Sequence, residues 1–214
     1  MLLDVGCGDG IRLSQETQRC VGIDILLENL QAAKERLPEH DFVLGDVHAL
    51  PFKSGSFDEE LCSHLIEHVT NPEQLIEEVS RVLKRRGVLT LEAPNGYGLL
   101  EYVNRFFGKI RWSYYVHLHR FSDKDLIHML QTSGFEVIEV NLADWLSPVI
   151  DSVYFHLCKR FTRRSDRGTQ MYAHLKMAEI NQWWIKKRVA KNDHWLVKLL
   201  PSLSAVILIR AKRI

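Results

Sequence analysis

Apolar and polar positions follow two distinct patterns along the first part of the chain. Short apolar runs predict β-strands at residues 2–5, 19–25, 42–44 and 88–93. Between them, apolar residues recur every three or four positions, which predicts helices over 26–36 and 71–87. Asn71-Pro72 opens the second helix, and Gly87 is predicted to end it after a basic run. Strands that alternate with helices are typical of a parallel α/β sheet.

The same alternation returns later in the chain. Ser122 is predicted to cap a helix over 123–132 that ends at Gly134. Strands follow at 135–142 and 204–210, and the roughly sixty residues between them are more than a loop without secondary structure spans. We therefore predict a helical insertion. The predicted organisation is a cofactor-binding domain at 1–144, a helical lid or insertion at 145–203 and the last strand of the core sheet at 204–214.

The first predicted strand runs directly into a glycine-rich turn. Asp4 is followed by glycines at alternate positions, Gly6, Gly8 and Gly10. Glycine accepts φ > 0 and allows the backbone to approach a ligand closely. We expect a helix to follow and to present unpaired N–H groups at its N-terminus. The spacing is G-x-G-x-G rather than the dinucleotide pattern G-x-G-x-x-G, and the G-K-[ST] of a P-loop is missing. The turn predicts a nucleotide-type cradle.

Acidic residues mark the next predicted strands as well. Asp24 lies 18 residues after Gly6, close to the spacing at which an acid binds ribose hydroxyls in this architecture. Asp46 follows the third strand within G-D-x-x-x-L-P-F, and Asp58 belongs to an S-F-D motif before the fourth strand. Taken singly, Asp24 and Asp46 are equally well explained as turn residues, because Asp favours turns. It is their order along the chain that favours a site.

These four motifs, in this order, resemble the signature of the class I S-adenosylmethionine-dependent methyltransferases. The resemblance covers residues 1–142 and resumes in the last strand. It implies a Rossmann-like sheet of seven mostly parallel strands with helices on both faces, and S-adenosyl-L-methionine as the cofactor. It further implies that the glycine turn surrounds the methionine part, Asp24 holds the ribose, and Asp46 faces the adenine with Val47 beside it. The implied cofactor-binding residues are Asp4, Gly6, Cys7, Gly8, Gly10, Asp24, Ile25, Asp46, Val47, Ser63 and His64.

Three interpretations stay open for the segment after the fourth strand, which contains His64, Glu67 and His68. H-x-x-E-H is the inverted zinc-hydrolase pattern, which needs a helix that presents both histidines. By the resemblance, Glu67 and His68 help to form the pocket floor, and this is the favoured interpretation. Ubiquinone-biosynthesis-like O-methyltransferases instead carry E-x-x-E-H here and bind a divalent metal with it. Because His64 replaces the first Glu of that pattern, no metal ligand set is predicted.

Two further histidines precede the helix that Ser122 caps. His119 is the first candidate for a base or a substrate-orienting group, and His117 is the second. The catalytic candidates are therefore His119, His117, His68 and Glu67, although a methyl transfer needs a base only where the acceptor loses a proton. The alternative is that either histidine only caps or packs. The chain lacks the [DN]-P-P-[YF] motif of amino-group methyltransferases, which favours an oxygen or carbon acceptor.

Charge is distributed unevenly, although the net charge is only +1. Residues 1–144 hold 14 basic and 23 acidic residues, whereas 145–214 hold 14 and 4. Amphipathic stretches at 147–164 and 170–190 combine this basic character with apolar residues, and four of the five tryptophans lie in the same region. A lid over the acceptor pocket is the favoured interpretation. A peripheral membrane contact through 145–200 is the alternative, which would suit a lipid-like acceptor. Nucleic acid is disfavoured, because no RNA-binding module is recognised.

The remaining features of the sequence limit where the protein is expected to act and what it is expected to do. Four cysteines without a C-x-x-C pair, and no signal peptide or membrane-span pattern, predict a cytoplasmic protein with an option of peripheral membrane contact. Because the first strand begins at residue 2, we expect either a shortened form or a cofactor covered by the insertion or a second subunit. The favoured function is methylation of a small, apolar or amphipathic acceptor. The alternatives are a non-catalytic, membrane-associated cofactor-binding protein and, remotely, a zinc hydrolase.

Overall fold

The computed structural model describes residues 1–96, 117–143 and 206–214, without the side chains of Gln15 and Ala143. Its strands are β1 Leu2–Val5, β2 Cys20–Asp24, β3 Asp41–Leu44, β4 Phe57–Ser63, β5 Leu83–Pro94, β6 Phe135–Ala143 and β7 Val206–Arg213. Its helices are α1 Leu27–Arg36, α2 Pro72–Val82 and α3 Asp123–Thr132. The predicted insertion at 145–203 lies outside the described residues. Within the described ranges, no helix has the length and apolar character needed to cross a bilayer.

The described strands form one seven-stranded sheet in the order β3-β2-β1-β4-β5-β7-β6. β1 pairs in parallel with both β2 and β4, and the pairs β2–β3 and β4–β5 are parallel too. The β7–β6 end supplies the antiparallel part, so the predicted, mostly parallel Rossmann-like sheet is confirmed. The chain order reverses between β1 and β4. In open α/β sheets, ligands bind at such a switch point, outside the carboxyl ends of the strands.

Apolar side chains of the central strands form the core with one face of α2. Leu3 and Ile23 are fully buried in the sheet, and Leu75, Ile76 and Val79 are fully buried on α2. These three α2 positions follow the helical spacing that the sequence displays. The Asn71 side chain caps α2 by accepting a hydrogen bond from Gln74 N at 3.1 Å. The predicted start of this helix at Asn71-Pro72 is therefore confirmed.

Two predicted helices differ from the observed structure. After the glycine turn, where the sequence predicts a helix, the structure has only a 3₁₀ turn at Leu13–Gln15. α2 ends at Val82 instead of Gly87, and β5 begins at Leu83. Leu83 is fully buried and pairs with Phe57. Burial and strand pairing therefore favour a strand at this position over a longer helix.

Substitution of Ser122 by alanine is expected to destabilise the fold by about 1 kcal/mol. Ser122 Oγ accepts a hydrogen bond from Asp125 N at 3.2 Å, and Asp125 Oδ2 accepts one from Ser122 N at 2.8 Å. The substitution removes the first of these bonds and leaves an N–H group of α3 without its cap. Urea denaturation measures the effect. Ser56→Ala removes only an exposed hydroxyl contact and is the control; equal losses in the two variants would contradict the capping argument.

Candidate functional site

The glycine turn after β1 is bound tightly to β2. Gly6 N and Cys7 N both donate hydrogen bonds to Ile23 O, at 2.8 and 3.0 Å. Gly6, Gly8 and Gly10 all have positive φ, at 75°, 54° and 75°, which is a conformation that other residues rarely adopt. The sequence therefore places glycine where the backbone requires it. The turn brings main-chain atoms to the carboxyl edge of the sheet at the switch point.

Asp24 joins the glycine turn to the start of α1. It ends β2 and is only 8% exposed. Its Oδ2 accepts a hydrogen bond from Gly8 N at 2.9 Å, and its Oδ1 accepts bonds from Leu26 N at 2.9 Å and Asn29 Nδ2 at 3.2 Å. The structure thus brings the predicted ribose acid directly against the predicted cradle. Ile25 follows it with an exposed side chain.

Asp46 and Val47 lie just beyond the carboxyl end of β3. Gly45 N donates to Asp24 O at 3.1 Å, so this segment is held beside the end of β2. The Asp46 side chain is exposed, and Val47 is buried. Asp46 Oδ1 accepts a hydrogen bond from His48 N at 2.9 Å and contacts His48 Nδ1 at 2.7 Å, and these bonds lower the pKa of Asp46. The carboxylate is therefore ionised at neutral pH and open to solvent.

A buried polar group lies beneath the glycine turn. Burial raises the pKa of Asp4 to about 7, and the nearby Arg12 guanidinium opposes that rise. Arg12 forms an ion pair with Glu92, which also accepts a hydrogen bond from Ser63 Oγ at 2.6 Å. The Ser63 hydroxyl thereby faces the Arg12–Glu92 pair. The sequence analysis did not identify Arg12 or Glu92 as site residues. The signal for Glu92 was a glutamate within the mostly apolar strand predicted at 88–93.

The Cys7 thiol lies in the same turn and is buried. Burial raises the pKa of Cys7, and the neighbouring carboxylates add to that effect. Because the thiolate is the nucleophilic form, the thiol is inert at neutral pH. Cys7 therefore contributes packing and its backbone to the turn.

The H-x-x-E-H segment leaves β4 as a turn rather than as a helix. His64 has φ 51°, and its N–H donates to Glu92 O at 2.9 Å. Leu65 then packs over the turn, where a Cβ on Gly6 would lie 2.9 Å from its Cδ1. Because there is no helix here, His64 and His68 are not presented as a zinc-hydrolase pair at helical spacing. The hypothesis of an inverted zinc-hydrolase motif is therefore wrong.

Three of the four candidate catalytic residues lie together at this turn. Glu67 is 2% exposed, and the ligand atoms of Glu67, His68 and His117 all lie within 4.8 Å of one another. The His68 and His117 rings have centroids 4.9 Å apart. His119, the first candidate from the sequence, has its ring stacked on Phe121 at 5.9 Å. The geometry groups His117, not His119, with Glu67 and His68.

Comparison with known proteins finds a methyltransferase domain in this chain. Residues 3–91 match a family model described as a methyltransferase domain. An uncharacterized methyltransferase of Bacillus subtilis, YcgJ, is 28% identical over 195 residues, which are 83% of this chain and 71% of the relative. A demethylmenaquinone methyltransferase of Thermotoga maritima is 28% identical over 165 residues, which are 63% of this chain and 69% of the relative. Across the curated relatives that it matches, the chain spans between 30% and 71% of their length.

Solved structures show the same fold. The crystal structure of YcgJ from Bacillus subtilis superposes with a TM-score of 0.59 at 22% identity, over 99% of this chain and 90% of that one. A possible histamine N-methyltransferase from Thermotoga maritima superposes with a TM-score of 0.63 at 18% identity, over 100% and 82%. The sheet order, the glycine turn with Asp24 and the matched domain lead to one assignment. These findings support a class I S-adenosylmethionine-dependent methyltransferase with S-adenosyl-L-methionine as its cofactor.

Proposed function

We propose that this chain transfers the methyl group of S-adenosylmethionine to an oxygen or carbon atom of a small, apolar or amphipathic acceptor. One observation carries the proposal. The glycine turn follows β1, Asp24 ends β2, and the cluster of Glu67, His68 and His117 lies at the end of β4. These three strands are parallel neighbours, so the cofactor groups and the cluster share one edge of the sheet.

The cofactor would lie across the ends of β1, β2 and β3. The Asp24 carboxylate would accept hydrogen bonds from both ribose hydroxyls. Asp46 would accept a hydrogen bond from the adenine amino group, and Val47 and Ile25 would offer apolar surface to the base. The methionine part would lie along the glycine turn, where the backbone approaches closely. These roles follow from the family resemblance and from the placement of the residues around Asp24.

The reaction would be an in-line displacement. The acceptor atom attacks the methyl carbon, the sulfur–methyl bond breaks, and its electron pair stays on sulfur in S-adenosylhomocysteine. A hydroxyl acceptor also loses its proton, which a neutral imidazole of His117 or His119 can take. Holding the two reactants in line in a site that excludes water supplies much of the catalysis. Glu67 is placed to orient the neighbouring imidazoles, since its Oε1 lies 3.7 Å from His68 Nε2.

The proposed type of acceptor is supported by the relatives of this chain and by its predicted insertion. Relatives named demethylmenaquinone methyltransferase, from Thermotoga maritima and Renibacterium salmoninarum, favour an acceptor with an apolar body. A lid at 145–203 with a basic, Trp-rich face would cover such an acceptor, and a peripheral membrane contact through 145–200 would deliver it. Both ideas concern residues outside the described ranges. Cytoplasmic location belongs to the same proposal.

Calorimetry with S-adenosylmethionine and S-adenosylhomocysteine tests the cofactor part. We expect one molecule of either compound to bind per chain. Transfer of a labelled methyl group to a panel of phenolic, quinol and amine acceptors then tests the chemistry, and we expect label on oxygen or carbon rather than nitrogen. Absence of any binding would overturn the proposal. Binding without turnover over the whole panel would favour the non-catalytic alternative instead.

A further inference from the structure

We propose that Glu67, His68 and His117 form a binding site for one divalent transition-metal ion of the zinc type. Each residue offers one ligand atom, and these three atoms lie within 4.8 Å of one another at the carboxyl end of β4. Ligands on a tetrahedral zinc ion are about 3.3 Å apart, as bonds of about 2.0 Å require. The Glu67 Oε1 to His68 Nε2 distance of 3.7 Å is already close to that value.

The Glu67 carboxylate indicates that a cation belongs here. Its side chain is 2% exposed, yet neither oxygen accepts a hydrogen bond from any residue within the described ranges. A buried carboxylate without partners is costly, because burial removes its hydration and nothing replaces it. Its closest charged or chargeable neighbours among the described side chains are imidazoles, with His64 Nδ1 at 3.6 Å and His68 Nε2 at 3.7 Å. A metal ion would bind the carboxylate and the imidazoles together.

The third ligand is held in place by the main chain. Leu118 N and His119 N donate hydrogen bonds to Glu67 O, at 2.8 and 3.2 Å. The segment that carries His117 is therefore attached to the backbone of the residue that supplies the carboxylate. The same segment is bound at its other end, where Gly96 N donates to Phe121 O at 3.0 Å. The segment that supplies the third ligand is therefore fixed to the main chain at both ends.

The ligand set selects the type of metal. Two imidazole nitrogens and one carboxylate oxygen suit zinc and neighbouring transition metals, whereas magnesium prefers oxygen ligands and retains its water. Three protein ligands leave at least one coordination position open. His117 is exposed and His68 is partly exposed, so solvent and a small molecule reach the site. On the proposed function, an oxygen of the methyl acceptor would take the open position, and His119 rather than the metal-bound His117 would accept its proton.

This site differs from both metal patterns considered for the sequence. The hydrolase pattern uses His64 and His68, and the O-methyltransferase pattern needs a glutamate where His64 stands. The structure replaces that missing ligand with His117, which comes from a distant part of the chain. Because the three ligands come from two separate parts of the chain, no single short segment of the sequence displays the complete set.

Zinc titration of the metal-free protein tests the site. Protein treated with a chelator and dialysed is titrated with zinc chloride against a chromophoric competitor, and we expect one tight site per chain. His117→Ala and Glu67→Gln are expected to weaken zinc binding by at least about 100-fold, because each removes one of three ligands. His128→Ala is the matched control, since it removes an exposed histidine on α3 and should leave the affinity unchanged. Circular dichroism of each variant checks that it folds.

A second readout keeps the test independent of activity. Cobalt substituted for zinc is expected to give visible absorption bands typical of four- or five-coordinate nitrogen and oxygen ligation, and the bands should be lost in His117→Ala. Equal zinc affinity in wild type, His117→Ala and His128→Ala would overturn the metal site. Binding of S-adenosylmethionine to the metal-free protein would still support the proposed function in that case. Zinc binding without any cofactor binding would support the metal site and count against methyl transfer.

Discussion

Replacement of Asp24 by asparagine is expected to weaken S-adenosylmethionine binding by about 100-fold. The expectation rests on the proposed role of the carboxylate as acceptor for both ribose hydroxyls. Hydrogen bonds to a charged group contribute about 1.5–3 kcal/mol each, and the neutral amide retains only one acceptor oxygen. A loss near 3 kcal/mol corresponds to about two orders of magnitude in affinity. Calorimetry with S-adenosylmethionine measures the change.

Asparagine is a sharper test than alanine because Asp24 also supports the fold. Its two oxygens accept hydrogen bonds from Gly8 N and Leu26 N, both at 2.9 Å, so alanine would release the glycine turn as well as the ribose. The asparagine amide keeps an oxygen for one of these bonds. Asp41→Asn is the matched control: Asp41 begins β3, at the opposite edge of the sheet, and is paired with Arg19. Equal affinity in the two variants would remove Asp24 from the cofactor site.

Replacement of Glu60 by glutamine is expected to stabilise the fold by about 3 kcal/mol at pH 7. Glu60 lies within β4 and is 2% exposed, and neither of its oxygens accepts a hydrogen bond from a residue that the structure describes. Burial raises the pKa of Glu60 to about 9, and Arg213 opposes the rise only in part. The folded protein therefore keeps a proton at pH 7 that the unfolded chain releases. Glutamine has a similar shape and no proton to lose.

The raised pKa of Glu60 also determines how the stability of the fold changes with pH. Between the ordinary pKa of 4.5 and the raised pKa of about 9, only the folded state holds the Glu60 proton. This contribution to stability is complete below pH 4.5, and it declines by about 1.4 kcal/mol per pH unit as the pH rises through that interval. The advantage of Glu60→Gln over wild type should consequently be small at pH 5 and large at pH 8.

Urea denaturation at pH 5 and pH 8 measures that difference. Glu59→Gln is the control, because Glu59 is the adjacent residue of β4 and is exposed. It should change stability by less than about 0.5 kcal/mol at either pH. If Glu60→Gln were destabilising by the same amount at both pH values, Glu60 would be ionised and compensated in the folded state, contrary to its surroundings in the structure.

The sequence by itself determined most of the elements and showed the resemblance to the methyltransferase family. β1, α1 and α3 lie within one or two residues of their predicted ranges, because apolar periodicity, proline and capping residues act over a few neighbouring positions. The structure adds a contact that the spacing did not predict, the hydrogen bond from Gly8 N to Asp24 Oδ2. Local patterns and motif order thus predict where the glycine turn and Asp24 lie along the chain.

Only the tertiary structure decided which distant groups meet. The Arg12–Glu92 pair and the His117 contact with Glu67 join residues far apart in sequence, and no local pattern encodes them. Strand order brings β4 beside β1 and β5 beside β4, and Leu118 N and His119 N donate hydrogen bonds to Glu67 O, which holds the segment that carries His117. Likewise, the connection between β1 and β2 contains a 3₁₀ turn at Leu13–Gln15 where a helix is expected. These outcomes depend on packing and chain connectivity, which act through contacts between elements rather than through the residues of one element.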